Sequence, residues 1–184
     1  GDTPIETCLD EAHSIGFTGI ELGGKFPRNQ GTIRFLLKKF KLELPGGWYG
    51  SKLRERSIED EWIAMKDQIN LLKYLNSSVF VFADISGSIQ AESNISLVNR
   101  PKIDNIELKD YCKKISEISN RLDDVGLPMS FHQHMGTIIQ TEKDVEKFLE
   151  HTNEKTFLLY DTGHLLFAKV DYLYILKKNR SRIN

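Results

Sequence analysis

Apolar residues recur along this chain at two spacings, one typical of helices and one typical of buried strands. Intervals of three and four residues predict helices over 4–15, 31–41, 108–125, 142–151 and 172–178, and a long helix capped by Ser57. Short apolar runs predict strands over 18–22 and 78–83, a third that begins at 42–44, and two that lead into His132 and Asp161. Repeated β-α units of this length imply parallel strands with crossover helices.

The five predicted strands fit either an open doubly wound sheet or part of an eight-stranded β/α barrel. Polar side chains at the strand ends favour the barrel, because a barrel gathers the carboxyl end of every strand into one mouth. An open sheet would gather only the strand ends beside its switch point. The side chains concerned are Glu21, Trp48, Tyr49, Asp84, His132, His134 and Asp161.

The length of the chain limits how much of a barrel it can form. A complete barrel needs about 250 residues, whereas the chain has 184. We therefore expect an α/β fold with a single domain over residues 1–184, a partial (β/α)8 TIM barrel that lacks the first and the last two strands. The strand over 156–160 would then have an exposed edge, which favours aggregation.

Charge and composition argue against two classes of binding partner, nucleic acids and membranes. A net charge of -1 and dispersed arginines provide no basic face for a nucleic-acid backbone. No apolar run approaches the roughly 20 residues that span a bilayer, and no charged-then-apolar signal opens the chain. We therefore expect a cytoplasmic protein that acts on a small molecule, without nucleic acid or membrane as a partner. Two isolated cysteines do not make a disulfide framework.

Three histidines and a carboxylate stand at the ends of the last two predicted strands. Since a strand repeats every two residues, His132 and His134 point to the same face. Asp161 ends the next strand, and Gly163 allows a turn that folds His164 back over the strand tip. Neutral imidazole and carboxylate are ligands that Mn, Fe, Co and Zn accept. The alternatives are hydrogen-bonded core imidazoles and an Asp161 that caps the following turn.

Several motifs, in order along the chain, carry a family resemblance. They include Gly19-Ile20-Glu21-Leu22-Gly23, Gly47-Trp48-Tyr49, Arg100-Pro101, His132-Gln133-His134-Met135-Gly136-Thr137 and Asp161-Thr162-Gly163-His164. These motifs resemble those of the inosose dehydratase family, a member of the xylose-isomerase-like barrel superfamily. The resemblance implies a hydro-lyase that dehydrates 2-keto-myo-inositol (inosose) to a trihydroxycyclohexane-dione in myo-inositol catabolism. It also implies a divalent metal, manganese or cobalt, and glutathione as an additive.

Matched residue by residue, the resemblance implies roles for the histidines and the aspartate. His132 and Asp161 fall where the superfamily binds its metal, and His134 and His164 fall where it contacts substrate or supports the site. Superfamily members add a third ligand, a histidine, and a fourth, a glutamate, from later strands that lie beyond this chain. The complete chain is therefore expected to be the enzyme, and this portion alone to be inactive.

The chain also departs from the family pattern at Gly24, Gln133 and Asp84. Gln133 is expected to face outward by strand parity, so its change is expected to be neutral. Asp84 shortens a side chain at the mouth, which leaves its role open. Candidate substrate contacts at the mouth are Lys25, Trp48, Tyr49, Asp84 and Gln90.

Dehydration of a polyhydroxy ketone has defined chemical requirements. A base must remove the proton beside the carbonyl, and an acid must protonate the departing hydroxide. A divalent ion would stabilise the charge that develops on oxygen. His134 and His164 are candidates for base and acid, with Glu21 as a further catalytic candidate. The alternatives are a metal-dependent ketose isomerase or epimerase, which returns the proton, and a non-catalytic truncated relative.

Overall fold

The structure is a computed structural model that describes residues 2–184. Within that range the chain forms seven α-helices and four β-strands. They are α1 (Ile5–Ser14), α2 (Gln30–Lys39), β1 (Gly46–Ser51), α3 (Ile58–Tyr74), β2 (Val79–Asp84), α4 (Asn105–Asp124), β3 (Met129–Phe131), α5 (Glu142–His151), β4 (Thr156–Leu158), α6 (Thr162–Phe167) and α7 (Tyr172–Asn179). The predicted helices are confirmed, α5 with the same bounds, whereas α6 was not predicted.

The four strands form one parallel sheet in the order β1-β2-β3-β4. The predicted strand over 18–22 is present only as a segment that pairs in parallel with 43–47 through two isolated bridges. At the other edge, Ile183 forms a parallel bridge with Leu158. Parallel strands in sequential order that alternate with helices are typical of part of a β/α barrel.

The expectation of an exposed edge over 156–160 is wrong, because the end of the chain covers that edge. The Arg182 guanidinium donates two hydrogen bonds to the carbonyl of Thr156, at 3.0 and 2.8 Å. The backbone N–H of Asn184 donates to the carbonyl of Leu158 at 3.3 Å. These contacts satisfy backbone groups that an open edge would leave unpaired.

Strand alternation gives the sheet a helix-facing side and an opposite side. The rings of Phe131 on β3 and Phe148 on α5 have centroids 4.1 Å apart, and Phe82 on β2 lies 6.2 Å from Phe131. These rings define the helix-facing side. His132 directly follows Phe131, so it points to the opposite side, where the candidate site lies.

Local capping explains where the helices near the site begin. Ser57 caps α3 as predicted, its hydroxyl accepting from the backbone N–H of Asp60 at 3.1 Å. Thr141 and Asp144 form a reciprocal capping box at the start of α5. Among the helices in residues 2–184, none combines the length and apolarity that a bilayer crossing requires.

Candidate metal centre and cavity

Three side chains meet where β3 and β4 end. The Nε2 atoms of His132 and His164 each lie 3.7 Å from Oδ2 of Asp161. One ligand atom from each of the three residues lies within 4.8 Å of the other two. The structure thus brings together His132 and Asp161, which were predicted as metal ligands, and adds His164 to them.

The two carboxylate oxygens of Asp161 have different surroundings. Asp161 is the N-cap of α6, and its Oδ1 accepts a hydrogen bond from the backbone N–H of His164 at 2.9 Å. Its Oδ2 faces the two imidazoles. The capping and ligand interpretations of Asp161 are therefore compatible. Because His164 is three residues further along α6, it lies on the same helix side as the cap.

The imidazole of His132 is mostly buried and has no hydrogen-bond partner among residues 2–184. Its side chain is 11% exposed, and neither ring nitrogen has a hydrogen-bond partner within residues 2–184. Burial, together with the neighbouring His164 and His134, lowers the pKa of His132 to about 4, against the opposing effect of Asp161. The imidazole is therefore neutral at pH 7, which is the form that binds metals.

This donor set fits a divalent ion of borderline character. Two imidazole nitrogens and one carboxylate oxygen are ligands that Zn, Co and Mn accept. A buried polar atom without a partner is costly, and His132 has two such nitrogens. An ion bound at one nitrogen would satisfy it.

His134 lies beside the cluster but is held differently. Its Nδ1 lies 2.8 Å from the carbonyl oxygen of Met135. Because a carbonyl only accepts, Nδ1 carries the proton and Nε2 of the neutral ring is the lone-pair nitrogen. The centroid of the His134 ring lies 4.3 Å from that of His164 and 5.4 Å from that of His132. His134 thus offers a basic nitrogen next to the candidate metal ligands.

A cavity of about 500 Å³ opens over these groups. Its lining comprises Gln90, Leu97, His134, Met135, Asp161, Gly163, His164 and Phe167. Gln90, a predicted substrate contact, is thus beside the histidines, and its buried Oε1 has no hydrogen-bond partner in the described chain. Sequence reasoning missed Leu97, Met135 and Phe167. For Phe167 the signal was its spacing of three residues from His164, one helical turn.

Glu21 lies close enough to Asp161 for their charges to interact. Partial burial of the Glu21 carboxyl raises its pKa, and the negative charge of Asp161 adds to this effect. The backbone of Trp48 opposes the shift through a hydrogen bond. Trp48 itself is 38% exposed, and it lies on the other face of β1 from its neighbour Tyr49. Glu21 therefore belongs to the same mouth as Asp161.

The structure corrects the predicted position of Tyr49, which does not reach the cavity. Its ring lies 5.6 Å from Phe80 on the helix-facing side, and its hydroxyl donates to Oε1 of Glu61 on α3 at 2.9 Å. Adjacent strand residues point to opposite faces, so Trp48 and Tyr49 cannot both face the mouth. That alternation was visible in the sequence.

Asp84 is likewise directed away from the histidines. It has the strand parity of Phe82, is almost fully buried, and accepts a hydrogen bond from the backbone N–H of Ser86 at 2.8 Å. Burial raises its pKa, while hydrogen bonds from Ser86 oppose the shift, and Tyr111 on α4 lies near enough for the two groups to interact electrostatically. The predicted placement of Asp84 at the mouth is therefore replaced by a place under α4.

Two further residues differ from their expected surroundings. Gln133 does face away from the site, but it is fully buried, and both of its amide atoms lack partners within residues 2–184. A barrel strand is covered by helices on its outer side, so facing outward does not mean facing solvent. Lys25 is exposed, and its Nζ donates to the carbonyl of Thr3 at 2.5 Å; it is not among the residues that line the cavity.

Solved structures of similar fold define the fold class of this chain. The probable 3-DHS dehydratase AsbF from Bacillus anthracis, involved in petrobactin synthesis, matches with a TM-score of 0.74 and 14% identity, over 100% of this chain and 67% of its own. A xylose isomerase-like TIM barrel protein from Mycobacterium smegmatis, solved in complex with magnesium, matches with a TM-score of 0.63 and 16% identity, over 89% of this chain and 59% of its own. The chain therefore has the fold of the xylose-isomerase-like TIM barrels.

Two curated relatives share more sequence identity with the chain than these solved structures do. The chain is 34% identical over 183 residues to the rhizopine catabolism protein MocC of Rhizobium meliloti, covering 100% of this chain and 56% of that protein. It is 31% identical over 188 residues to the inosose dehydratase of Geobacillus thermodenitrificans, covering 100% of this chain and 62% of that enzyme. No protein-family model matches the chain. The resemblance to inosose dehydratases is thus confirmed, and the chain spans under two thirds of these relatives' length.

Proposed function

We propose that this chain forms the histidine-bearing part of a metal-dependent dehydratase, a hydro-lyase that converts 2-keto-myo-inositol to a trihydroxycyclohexane-dione. The observation that carries the proposal is the meeting of His132, Asp161 and His164, with His134 beside them at the mouth of a barrel. The 31% identity to an inosose dehydratase supports the choice of substrate. A cyclic polyol ketone of this size suits a cavity of about 500 Å³.

In this proposal His132, Asp161 and His164 would hold a divalent ion. When bound, the ion would supply Lewis-acid polarisation of the substrate carbonyl. Manganese and cobalt suit a mixed imidazole and carboxylate donor set, and the family resemblance implies both. Glutathione, which the resemblance also implies, is treated as an additive to be varied in the assay.

The chain's own residues would then move the protons. Nε2 of His134 accepts the proton from the carbon beside the carbonyl. The resulting imidazolium keeps its Nδ1–H bond to the Met135 carbonyl, which stabilises the added charge. Glu21 is the proposed acid, because its raised pKa keeps it protonated to a higher pH than an ordinary glutamic acid. The hydroxide that departs with the bonding electrons takes this proton and leaves as water.

The polar groups of the cavity would orient the ring. The unpartnered Oε1 of Gln90 is available to accept a hydrogen bond from a substrate hydroxyl. Leu97 and Phe167 form an apolar wall beside it, which suits the C–H face of a cyclohexane ring. Trp48, which is partly exposed on β1, is a further proposed ring contact. Lys25 is only a candidate substrate contact at the rim of the barrel mouth.

The test measures metal content and water loss together. The chain, and a chimera that adds the parts of the Geobacillus enzyme outside the match, are loaded with Mn²⁺ or Co²⁺, with and without glutathione. Product is followed by mass spectrometry as the loss of one water from 2-keto-myo-inositol. His151→Ala is the control variant, because His151 lies at the end of α5, away from the cluster.

The outcomes separate the candidate activities. Water loss by the metal-loaded chimera, abolished by His134→Ala and kept by His151→Ala, would support the dehydratase. Interconversion of the ketone without water loss would replace it by an isomerase or epimerase. Absence of metal from both proteins would refute the proposed centre.

A further inference from the structure

Arg100 is a buried guanidinium that joins three parts of the chain near the cavity. Its side chain is 9% exposed. One terminal nitrogen donates to the carbonyls of Thr137 and Ile138, each at 2.9 Å, and the other donates to Oδ2 of Asp144 at 2.7 Å. A cation this deeply buried is costly unless it is fully paired, so its contacts call for a structural or functional reason.

The backbone that Arg100 holds is the turn that follows His134. The N–H of His134 donates to the Ile139 carbonyl at 3.2 Å, and the Thr137 hydroxyl donates to the His134 carbonyl at 2.8 Å. The turn therefore closes on itself, with His134 at one end and the Arg100 contacts on the far side. Asp144, the anion that pairs with Arg100, is part of the capping box of α5.

The same turn is also held from the loop that carries Gln90. The N–H of Ile89 donates to the Gly136 carbonyl at 3.0 Å, and the N–H of Gly136 donates to Oε1 of Gln140 at 2.8 Å. Arg100 belongs to the same long loop, ten residues after Gln90. The turn is thus held both by the Arg100 side chain and by the backbone next to Gln90.

We propose that Arg100 is a positioning residue for His134, and this inference rests on the proposed role of His134 as a proton carrier. By fixing the Thr137 and Ile138 carbonyls, Arg100 holds the turn in the shape that places the Met135 carbonyl against Nδ1 of His134. That contact selects the Nδ1–H tautomer and leaves Nε2 free. Without the clamp, the ring reverts toward the Nε2–H tautomer that free histidine prefers.

A purely structural role would have a different consequence. If Arg100 only anchored α5 through Asp144, its loss would lower stability while a folded variant kept the tautomer of His134. The fork geometry of Arg100 offers a second distinction. Lysine retains the charge beside Asp144, but as a point donor it does not reproduce the fork that spans two carbonyls and a carboxylate.

The experiment reads the tautomer of each histidine in this chain by long-range ¹H–¹⁵N correlation NMR. The variants are Arg100→Met, which keeps length without donors, and Arg100→Lys. Arg121→Met is the matched control, because Arg121 is also held by ion pairs, with Glu59 and Glu117, on the helix layer away from the cavity. The resonances of His132 report whether the end of β3 remains folded.

The expected result is an Nδ1–H His134 in the parent and in Arg121→Met, and loss of that signature in both Arg100 variants with His132 unchanged. An Nδ1–H signature retained in a folded Arg100→Met or Arg100→Lys would overturn the proposal. A parent without that signature would overturn it too. If Arg100→Met does not fold, Arg100→Lys decides alone. The samples are metal-free, so the tautomer measurement does not depend on metal binding. A failure to bind metal would refute the proposed function and leave the test of Arg100 unaffected.

Discussion

At Gly136 the turn after β3 packs closely on the neighbouring loop, and replacement of this glycine tests that packing. Gly136 has φ +79°, and a Cβ there would lie 2.8 Å from the backbone nitrogen of Gln90 and 3.0 Å from its Cα. Gly126, after α4, has nearly the same φ, +78°, with nothing within 4 Å of its would-be Cβ. The two glycines thus separate the cost of the backbone conformation from the cost of close approach.

The expected magnitudes follow from these two contributions. An L-residue in the left-handed region costs about 1–2 kcal/mol. Replacing glycine by alanine returns about 0.4–1 kcal/mol, because the unfolded chain has less freedom to lose. Gly126→Ala should therefore lower the free energy of unfolding by about 1 kcal/mol. At Gly136 the Cβ also meets backbone that cannot rotate away, which adds about 1–3 kcal/mol and makes the total about 2–4 kcal/mol.

The assay is reversible urea unfolding of both variants and the parent, followed by far-UV circular dichroism. A midpoint that falls at constant slope reports lost stability rather than a changed denatured state. Equal losses for Gly126→Ala and Gly136→Ala would refute the close approach between the turn and the Gln90 loop. A larger loss at Gly136, with a changed tautomer of His134, would link that packing to the site.

Three other predictions address the site and its support. His132→Ala and Asp161→Ala should each lose bound Mn²⁺ or Co²⁺ by elemental analysis, whereas His134→Ala should retain it; full occupancy in the first two would place the ion elsewhere. In metal-free protein the folded pKa of His132, about 4, is below its ordinary 6.5, so the unfolded state binds the proton first and stability falls as pH drops between those values. The loss should total about 3 kcal/mol and be absent from His132→Asn in pH-dependent urea unfolding. Glu61→Ala should cost about 2 kcal/mol of unfolding free energy and Tyr49→Phe about 1 kcal/mol, because the first leaves several donors without their acceptor and the second removes a single hydrogen bond; equal costs would contradict this.

The sequence predicted most of the elements because local rules decide them. Ser57 and the 142–151 segment carry caps and helical spacing, and tertiary packing agrees with both. His132 and His134 were predictable as a pair, because strand period alone places alternate residues on one face. The Asp161 end of the next strand follows from the parallel arrangement, which brings neighbouring strand tips together.

What the sequence could not specify is which face of each strand is covered by helices. Trp48 and Tyr49 are both aromatic, and only the packing of Tyr49 on Phe80 shows which one faces α3. Asp84 looked like a residue of the mouth because it ends a strand. Its parity with Phe82, however, places it under α4. Gly163 suggested a turn, since glycine is a poor helix former, whereas the cap at Asp161 begins α6 there.

The geometry of the candidate metal centre is set by backbone elements more than by charge. The direction of His132 is set by β3, and one oxygen of Asp161 is fixed by the cap of α6, which leaves the other oxygen pointing at the imidazoles. The two residues follow strands that pair directly, with Phe131 opposite Leu158. Two ligands can therefore be in place from the pairing of β3 with β4 alone. An ion that binds both would stabilise that pairing in particular, since a ligand that binds only the folded state raises its stability.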